Sequence, residues 1–253
     1  MDGVALGARF SIATNRLQYC GPDGAETALY RAITEGTDLP AARRALSRFE
    51  ALVPYLETIG RKHQLDPFDE RVVEAYWLGN DLLDSFERSD FLGLLDRLVR
   101  RGLPRSLATR LAQHLPGRPI PHHMFHVGFV GVGNVTGHVP TTLANMESCR
   151  PAWATVVALD SSSVTVESPA LRVERGRLSL SGTRTEALPY DPKVIPDLKV
   201  GEPVVVHWRT LALRAAAHQL AALRRYTELS LAAANEALPA LGVFGPPAPS
   251  GTG

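Results

Sequence analysis

The apolar residues of this 253-residue chain change their spacing once, near residue 148, and no other feature limits the fold as much. Before that point they recur at helical intervals. From about 152 to 207 they form short β-branched runs divided by turn residues. The pattern predicts an α+β chain: an all-helical domain over 1–148, a small β-barrel with a C-terminal amphipathic helix over 149–238, and a disordered tail over 239–253, where Gly-Pro-Pro-Ala-Pro replaces the periodic residues.

Within the first part, Asp38 followed by Leu39-Pro40 is a helix start, with an N-cap carboxylate and proline in the first turn. Val53, Tyr55, Leu56 and Ile59 mark the next apolar stripe. Val72, Val73, Ala75, Tyr76 and Leu78 mark another, opening near Asp66-Pro67-Phe68-Asp69 and stopping near Gly79. Leu92 to Val99 gives a helix ending at Gly102, and Leu103 to Leu115 gives one more. Met124 to Val132 reads as a buried helix, and Val139 to Met146 as a short one.

In the second part, Ala154 to Leu159 and Val164 to Glu167 form a hairpin across Asp160-Ser161-Ser162-Ser163. Leu171 to Val173, Leu178 to Leu180 and Thr185 to Leu188 are further short strands, and Val204-Val205-Val206-His207 is a fully buried one. Strands this short and this dense predict a barrel. Thr210 to Ala237 then reads as one long helix, with Leu211, Leu213, Leu220, Leu223, Tyr226 and Leu231 on its covered side.

Charge is nearly balanced, 27 Lys and Arg against 26 Asp and Glu, so the basic excess of a nucleic-acid binder is missing and a protein or small molecule is the expected partner. The N-terminus has no basic stretch leading into an apolar one, no apolar run approaches the ~20 residues of a membrane span, and the two cysteines form no disulfide framework. A soluble, reducing, cytoplasmic protein without a membrane partner is expected.

Five residues stand out with Cys149 at the head of the barrel. His207 closes the last barrel strand, so antiparallel first and last strands bring it to the same mouth as Cys149. A thiolate and an imidazole there suit iron, zinc or copper(I). In Pro121-His122-His123-Met124-Phe125-His126, the pair His122 and His126 is spaced i,i+4 and His123 and His126 i,i+3, so two of these imidazoles share a helix face. Without an adjacent glutamate this is no metalloprotease pattern. Cys20, in Tyr19-Cys20-Gly21-Pro22, lies in a turn ahead of a helix whose N-terminus would stabilise its thiolate. Asp69, Glu70, Glu74 and Asp81 read as a solvated face, as do the arginines at 97, 100, 101 and 105. Gly131-Val132-Gly133-Asn134 lacks the spacing of a dinucleotide loop.

From Cys149 to about Ser230 the chain resembles the HypC/HupF family of nickel-iron hydrogenase maturation chaperones. The residues that carry the likeness are Cys149, the strands Ala154 to Leu159 and Val164 to Val166, the segment Val200-Gly201-Glu202-Pro203-Val204-Val205-Val206-His207, and the helix through Leu220-Ala221-Ala222-Leu223. The resemblance implies a HypC-like, OB-like barrel. It also implies an accessory protein of metal-centre assembly that holds or transfers iron, as an iron-cyanide-carbonyl fragment, through Cys149 and His207. Other maturation proteins or a hydrogenase large subunit would be its partners. Here Cys149 is internal, so its nitrogen is an amide, whereas the family's cysteine is the first residue of the mature chain. The front end, with Tyr19-Cys20-Gly21-Pro22, resembles an uncharacterised family that shares this motif. The alternative is a metal-dependent enzyme whose site lies in the helical domain around His122, His123, His126 and Cys20, with zinc as the other candidate metal.

Overall fold

A computed structural model describes residues 1–244. Seven helices come first: α1 (Gly3–Arg16), α2 (Glu26–Thr34), α3 (Leu39–Leu46), α4 (Leu52–His63), α5 (Glu70–Trp77), α6 (Arg88–Arg100) and α7 (Arg105–Gln113). A single helical turn, α8 (His123–Phe125), runs into a π-helical segment, His126–Gly131, and α9 (Leu143–Cys149) follows. Then come β1 (Ala152–Leu159), β2 (Ser163–Glu174), β3 (Arg177–Pro189), β4 (Pro203–His207) and β5 (Thr210–Arg214), and the long α10 (Ala217–Leu241) ends the described chain.

Helix α1 is the centre of the helical part. Asp2 caps it by accepting from Val4 and Ala5 N–H, and its buried residues go nearly all the way round, as a helix enclosed by neighbours requires. It packs on α2, α3 and α5, and on β5 of the sheet. Several starts differ from expectation in detail. Asp38 takes a left-handed conformation and makes no cap bond; its carboxylate pairs instead with Arg31, 3.1 Å away. Asp69 does cap α5, and Gly79 with φ +87° ends the turn after it.

The barrel prediction is corrected. The strands form an open antiparallel sheet in the order β3-β2-β1-β4-β5, and no backbone ladder joins β3 to β5. Side chains bridge that gap in place of a ladder, with Arg209 on the Ala187 carbonyl and on Glu186. The other edge is occupied by the helical part: Arg9 of α1 donates to the carbonyl of Ala212 in β5. The predicted short strands at 164–167 and 171–173 are one strand bent by a bulge at Pro169/Ala170, as are those at 178–180 and 185–188 on the partner.

The helix expected from Thr210 is also corrected. Residues 210–214 pair with β4 as β5, and the helix starts at Ala217. The hairpin turns through Trp208 and Arg209, both with positive φ (47° and 57°), a two-residue geometry usually occupied by Asn-Gly. Helix α10 runs through Pro239 to Leu241, which is buried, so the first part of the segment assigned to a tail is helical; 245–253 lie outside the described residues.

β4 is sandwiched, and the alternation of its side chains decides what each sees. Val204 and Val206 pack with Ala154, Val156, Val164 and Leu188 on one side of the sheet, whereas Val205 joins the large core built by the helices. That core includes Phe10, Tyr55, Tyr76 and Trp77 together with Leu213, Leu223 and Tyr226, so it is continuous across residue 149. By parity His207 looks the same way as Val205, toward the helices.

Candidate metal centre

Cys149 is the last residue of α9, on the buried face it shares with Met146 at i−3. β1 begins three residues later, with Ala152 opposite Val206, which places the end of α9 beside the end of β4. The junction is locked by the Trp208 backbone N–H, which donates to the Ser148 carbonyl at 2.6 Å. Cys149 and His207 are thereby neighbours, as the antiparallel arrangement of β1 and β4 requires. His123, entering from α8, joins them. One ligand atom from each of His123, Cys149 and His207 lies within 4.8 Å of the other two, and all three residues are buried.

The hydrogen bonds fix the tautomer of His207 and allow two for His123. His207 Nδ1 lies 2.7 Å from the Phe10 carbonyl, which only accepts, so Nδ1 carries the proton. Burial pulls His207 down to about 4, so at neutral pH the ring is uncharged and its Nε2 presents a bare lone pair. No protein group partners that Nε2. His123 Nδ1 sits 2.7 Å from the Tyr76 hydroxyl, and its Nε2 is 2.9 Å from the Cys149 carbonyl and 3.5 Å from Cys149 Sγ. With Nε2–H on the carbonyl, the Tyr76 hydroxyl donates to Nδ1. If the proton moves to Nδ1, the same hydroxyl accepts, and Nε2 is released as a ligand. Burial likewise pushes His123 well below the usual histidine range, with His207 adding to the effect.

Burial raises the Cys149 thiol to about 12, while the Trp208 indole N–H pulls the other way. The thiol is therefore protonated until a cation displaces the proton. The 3.5 Å from Sγ to His123 Nε2 already matches the edge of a tetrahedron built on ~2.0–2.3 Å ligand bonds, about 3.5 Å. Two imidazoles and one thiol, each imidazole anchored through its other nitrogen to a hydroxyl or a carbonyl, could hold a zinc or iron ion with three protein ligands.

The other expected residues go elsewhere. His126 Nδ1 meets the Tyr55 hydroxyl at 3.0 Å, and burial lowers the ring to about 4. His122 caps α8 by accepting from Met124 N–H and also meets Ser230 Oγ at 3.3 Å; burial takes it to about 3. The i,i+4 pair His122 and His126 is thus split, and of the three imidazoles only His123 reaches the cluster. Cys20 lies against Glu50 and the Ala51 backbone ahead of α4, not at the start of α2, and burial followed by the Glu50 charge raises its thiol to about 12. It lines the same cavity as the cluster but is not among the three grouped ligands. Glu70 pairs with the N-terminal amine and Glu74 with Asn80 and Gln219, as a solvated face would.

The cavity measures about 60 Å³. Gly133 forms part of its wall with φ +76°, and a Cβ there would come within 1.8 Å of the Val139 carbonyl oxygen, so only glycine allows this loop to close. Three further lining residues escaped the sequence reading: Tyr76, which looked like one more apolar stripe residue, Trp208, and Ser11 of α1. The signal for Ser11 was a single hydroxyl between the apolar residues Phe10 and Ile12-Ala13.

A family model described as a family of unknown function, DUF6390, matches residues 1–240. The chain belongs to this family. The match runs across both the helical part and the sheet without a break at residue 149. The chain has no match among curated proteins or solved structures. Among the described residues no helix is long and apolar enough to cross a membrane.

Proposed function

We propose that this DUF6390 member is a metal-holding protein of metal-centre assembly, with the ion bound by Cys149, His207 and His123. The observation that carries the reading is the convergence of the three ligand atoms within 4.8 Å, with His207 Nε2 a bare and unpartnered lone pair. The donor set suits iron(II) or zinc. The likeness of the C-terminal part to the HypC/HupF chaperones favours iron, and a hydrogenase large subunit or another maturation protein as the recipient. The open sheet and the internal Cys149 set this chain apart from that family, so the cargo and recipient rest on resemblance while the ligand set rests on geometry.

A second reading, a metal-dependent enzyme, draws support from the cavity beside the open coordination position. In that case too the metal sits on His123, Cys149 and His207, because His122 and His126 face different partners.

The test is anaerobic loading of the full chain with iron(II) or zinc, followed by desalting and metal analysis. One ion per chain is expected, with release of about one proton from Cys149. The variants C149A, H207A and H123A should each lose stoichiometric binding, and H122A and H126A should keep it. Equal metal content in all five variants, or none in the wild-type chain, overturns the site. With the site established, transfer of iron to a recipient protein supports the assembly role, and turnover of a small substrate without metal transfer supports the enzyme.

A further inference from the structure

Besides the three ligands, the cavity is lined by the Ser11 hydroxyl and the Trp208 indole N–H, both on buried residues; neither makes a well-formed hydrogen bond to a protein atom, although the indole is near enough to Cys149 to lower its thiol. Each is a hydrogen-bond donor. Each is also held beside a fixed point of the centre. Ser11 follows Phe10, whose carbonyl anchors His207, and Trp208 follows His207 itself, with its backbone tied to Ser148. These donors line the same cavity as the three ligands.

Charge supplies the second argument. A divalent ion bound by one thiolate and two neutral imidazoles keeps one positive charge. No aspartate, glutamate, lysine or arginine lines the cavity, so nothing in its wall compensates that charge. An isolated charge in such a place is strongly disfavoured unless a counter-ion is bound. Cys20, the other thiol at the cavity, is not grouped with the three ligands and leaves the position to an external group. The volume of about 60 Å³ compares with the ~10–15 Å³ that one water needs on this measure, which is room for an anion of two to four heavy atoms.

We infer that the metal centre binds one small exogenous monoanion at its open position, held by hydrogen bonds from the Ser11 hydroxyl and the Trp208 indole N–H. The inference rests on the metal-holding reading and adds the class of co-ligand to it. No bond to the protein is made or broken; the anion replaces a metal-bound water, which leaves.

The probe is azide, titrated into the full chain loaded with cobalt(II), with the visible ligand-field bands as readout. In the wild-type protein azide should shift the bands saturably. S11A should take up the same one cobalt per chain, W208F is compared at equal cobalt loading, and both should bind azide about tenfold more weakly, since each removes a hydrogen bond to a charged group. S11A is the smaller change and keeps the test sharp if W208F does not fold. Cobalt bands unmoved by azide mean that water alone occupies the position and overturn the anion inference while leaving the metal site standing. Equal azide affinity in wild type and both variants overturns the assigned donors. Failure of the wild-type chain to take up cobalt overturns both readings.

Discussion

Cys149 and Arg150 are consecutive, yet they enter two polar clusters built on opposite principles. On the Arg150 side every charge is answered. Arg150, with a fully buried side chain, pairs with Glu147 at 2.6 Å and donates to the Pro169 carbonyl, Glu147 accepts from the Leu171 N–H, and Arg184 and Arg209 each meet Glu186 at 2.7 Å. This layer ties α9 to β2 at Pro169 to Leu171, opposite the extra residue Gly182 of β3. On the Cys149 side the two rings and the thiol are neutral at neutral pH, and the His207 Nε2 lone pair has no protein partner. Buried polar groups in native proteins are ordinarily satisfied. The first cluster is held together by mutual ion pairs and acts as a clamp; the second leaves the His207 Nε2 lone pair without a protein partner, at the position where the proposed cation would bind.

The clamp should show the largest effect on stability. Removing one member of a buried ion pair strands the other, at a cost of about 3–5 kcal/mol. R150A is therefore expected to lower the unfolding free energy of the metal-free chain by about that amount in a denaturant titration, and the double variant E147L/R150M to recover most of it. C149A, which removes no charge, should cost the metal-free chain far less while abolishing metal binding. If R150A and C149A destabilise the metal-free chain equally, the division into clamp and site is wrong.

The helical part was largely readable from periodicity, because proline, glycine and capping residues punctuate α4, α5 and α6 close to where their apolar stripes begin and end. Two things hid the rest. The β4–β5 hairpin turns on Trp208-Arg209, which carries no turn signature, so the alternation Leu211-Ala212-Leu213 was absorbed into the helix that follows. The histidine run was read on a 3.6-residue wheel, but α8 is a single turn that gives way to a π-helix at His126, and each ring is placed by its own partner. Spacing paired His126 with either His122 or His123, whereas of the three rings only His123 reaches the cluster with Cys149 and His207. Cys149 and His207 were legible as neighbours because they bracket the segment from the start of β1 to the end of β4, and those two strands pair antiparallel. Tyr76, which meets His123 47 residues further on, had no local signal beyond its place in an apolar stripe.

The neutral cluster and its neighbours should also dominate the response to acid. His122, His126 and His207 are buried and resist protonation down to about 3, 4 and 4, whereas in the unfolded chain each takes up a proton near 6.5. Below about pH 6.5 the unfolded state thus binds more protons, and stability falls as pH drops from there toward 4. His126 gives the cleanest measurement, since it is not a ligand and glutamine can still bond the Tyr55 hydroxyl. H126Q should flatten the fall of unfolding free energy between pH 6 and 5 by roughly 1.4 kcal/mol per pH unit, one proton's worth, in metal-free protein. Parallel curves for H126Q and wild type would mean that His126 is already solvated in the native state.

The smallest effect is expected at the rim of the clamp. Arg209 pairs with Glu186 as closely as Arg184 does, but its side chain is 60% exposed, and it stands at φ +57° in the hairpin turn. An exposed pair contributes about 0–1 kcal/mol, and glycine relieves a left-handed conformation by a similar amount. In R209G the two changes oppose each other, so the denaturation midpoint should move little even though an ion pair is lost. A loss near that of R150A would place the energy of the charged layer at its solvent edge. A near-zero change, beside several kcal/mol for R150A, would show that burial and not the count of ion pairs makes this layer a clamp.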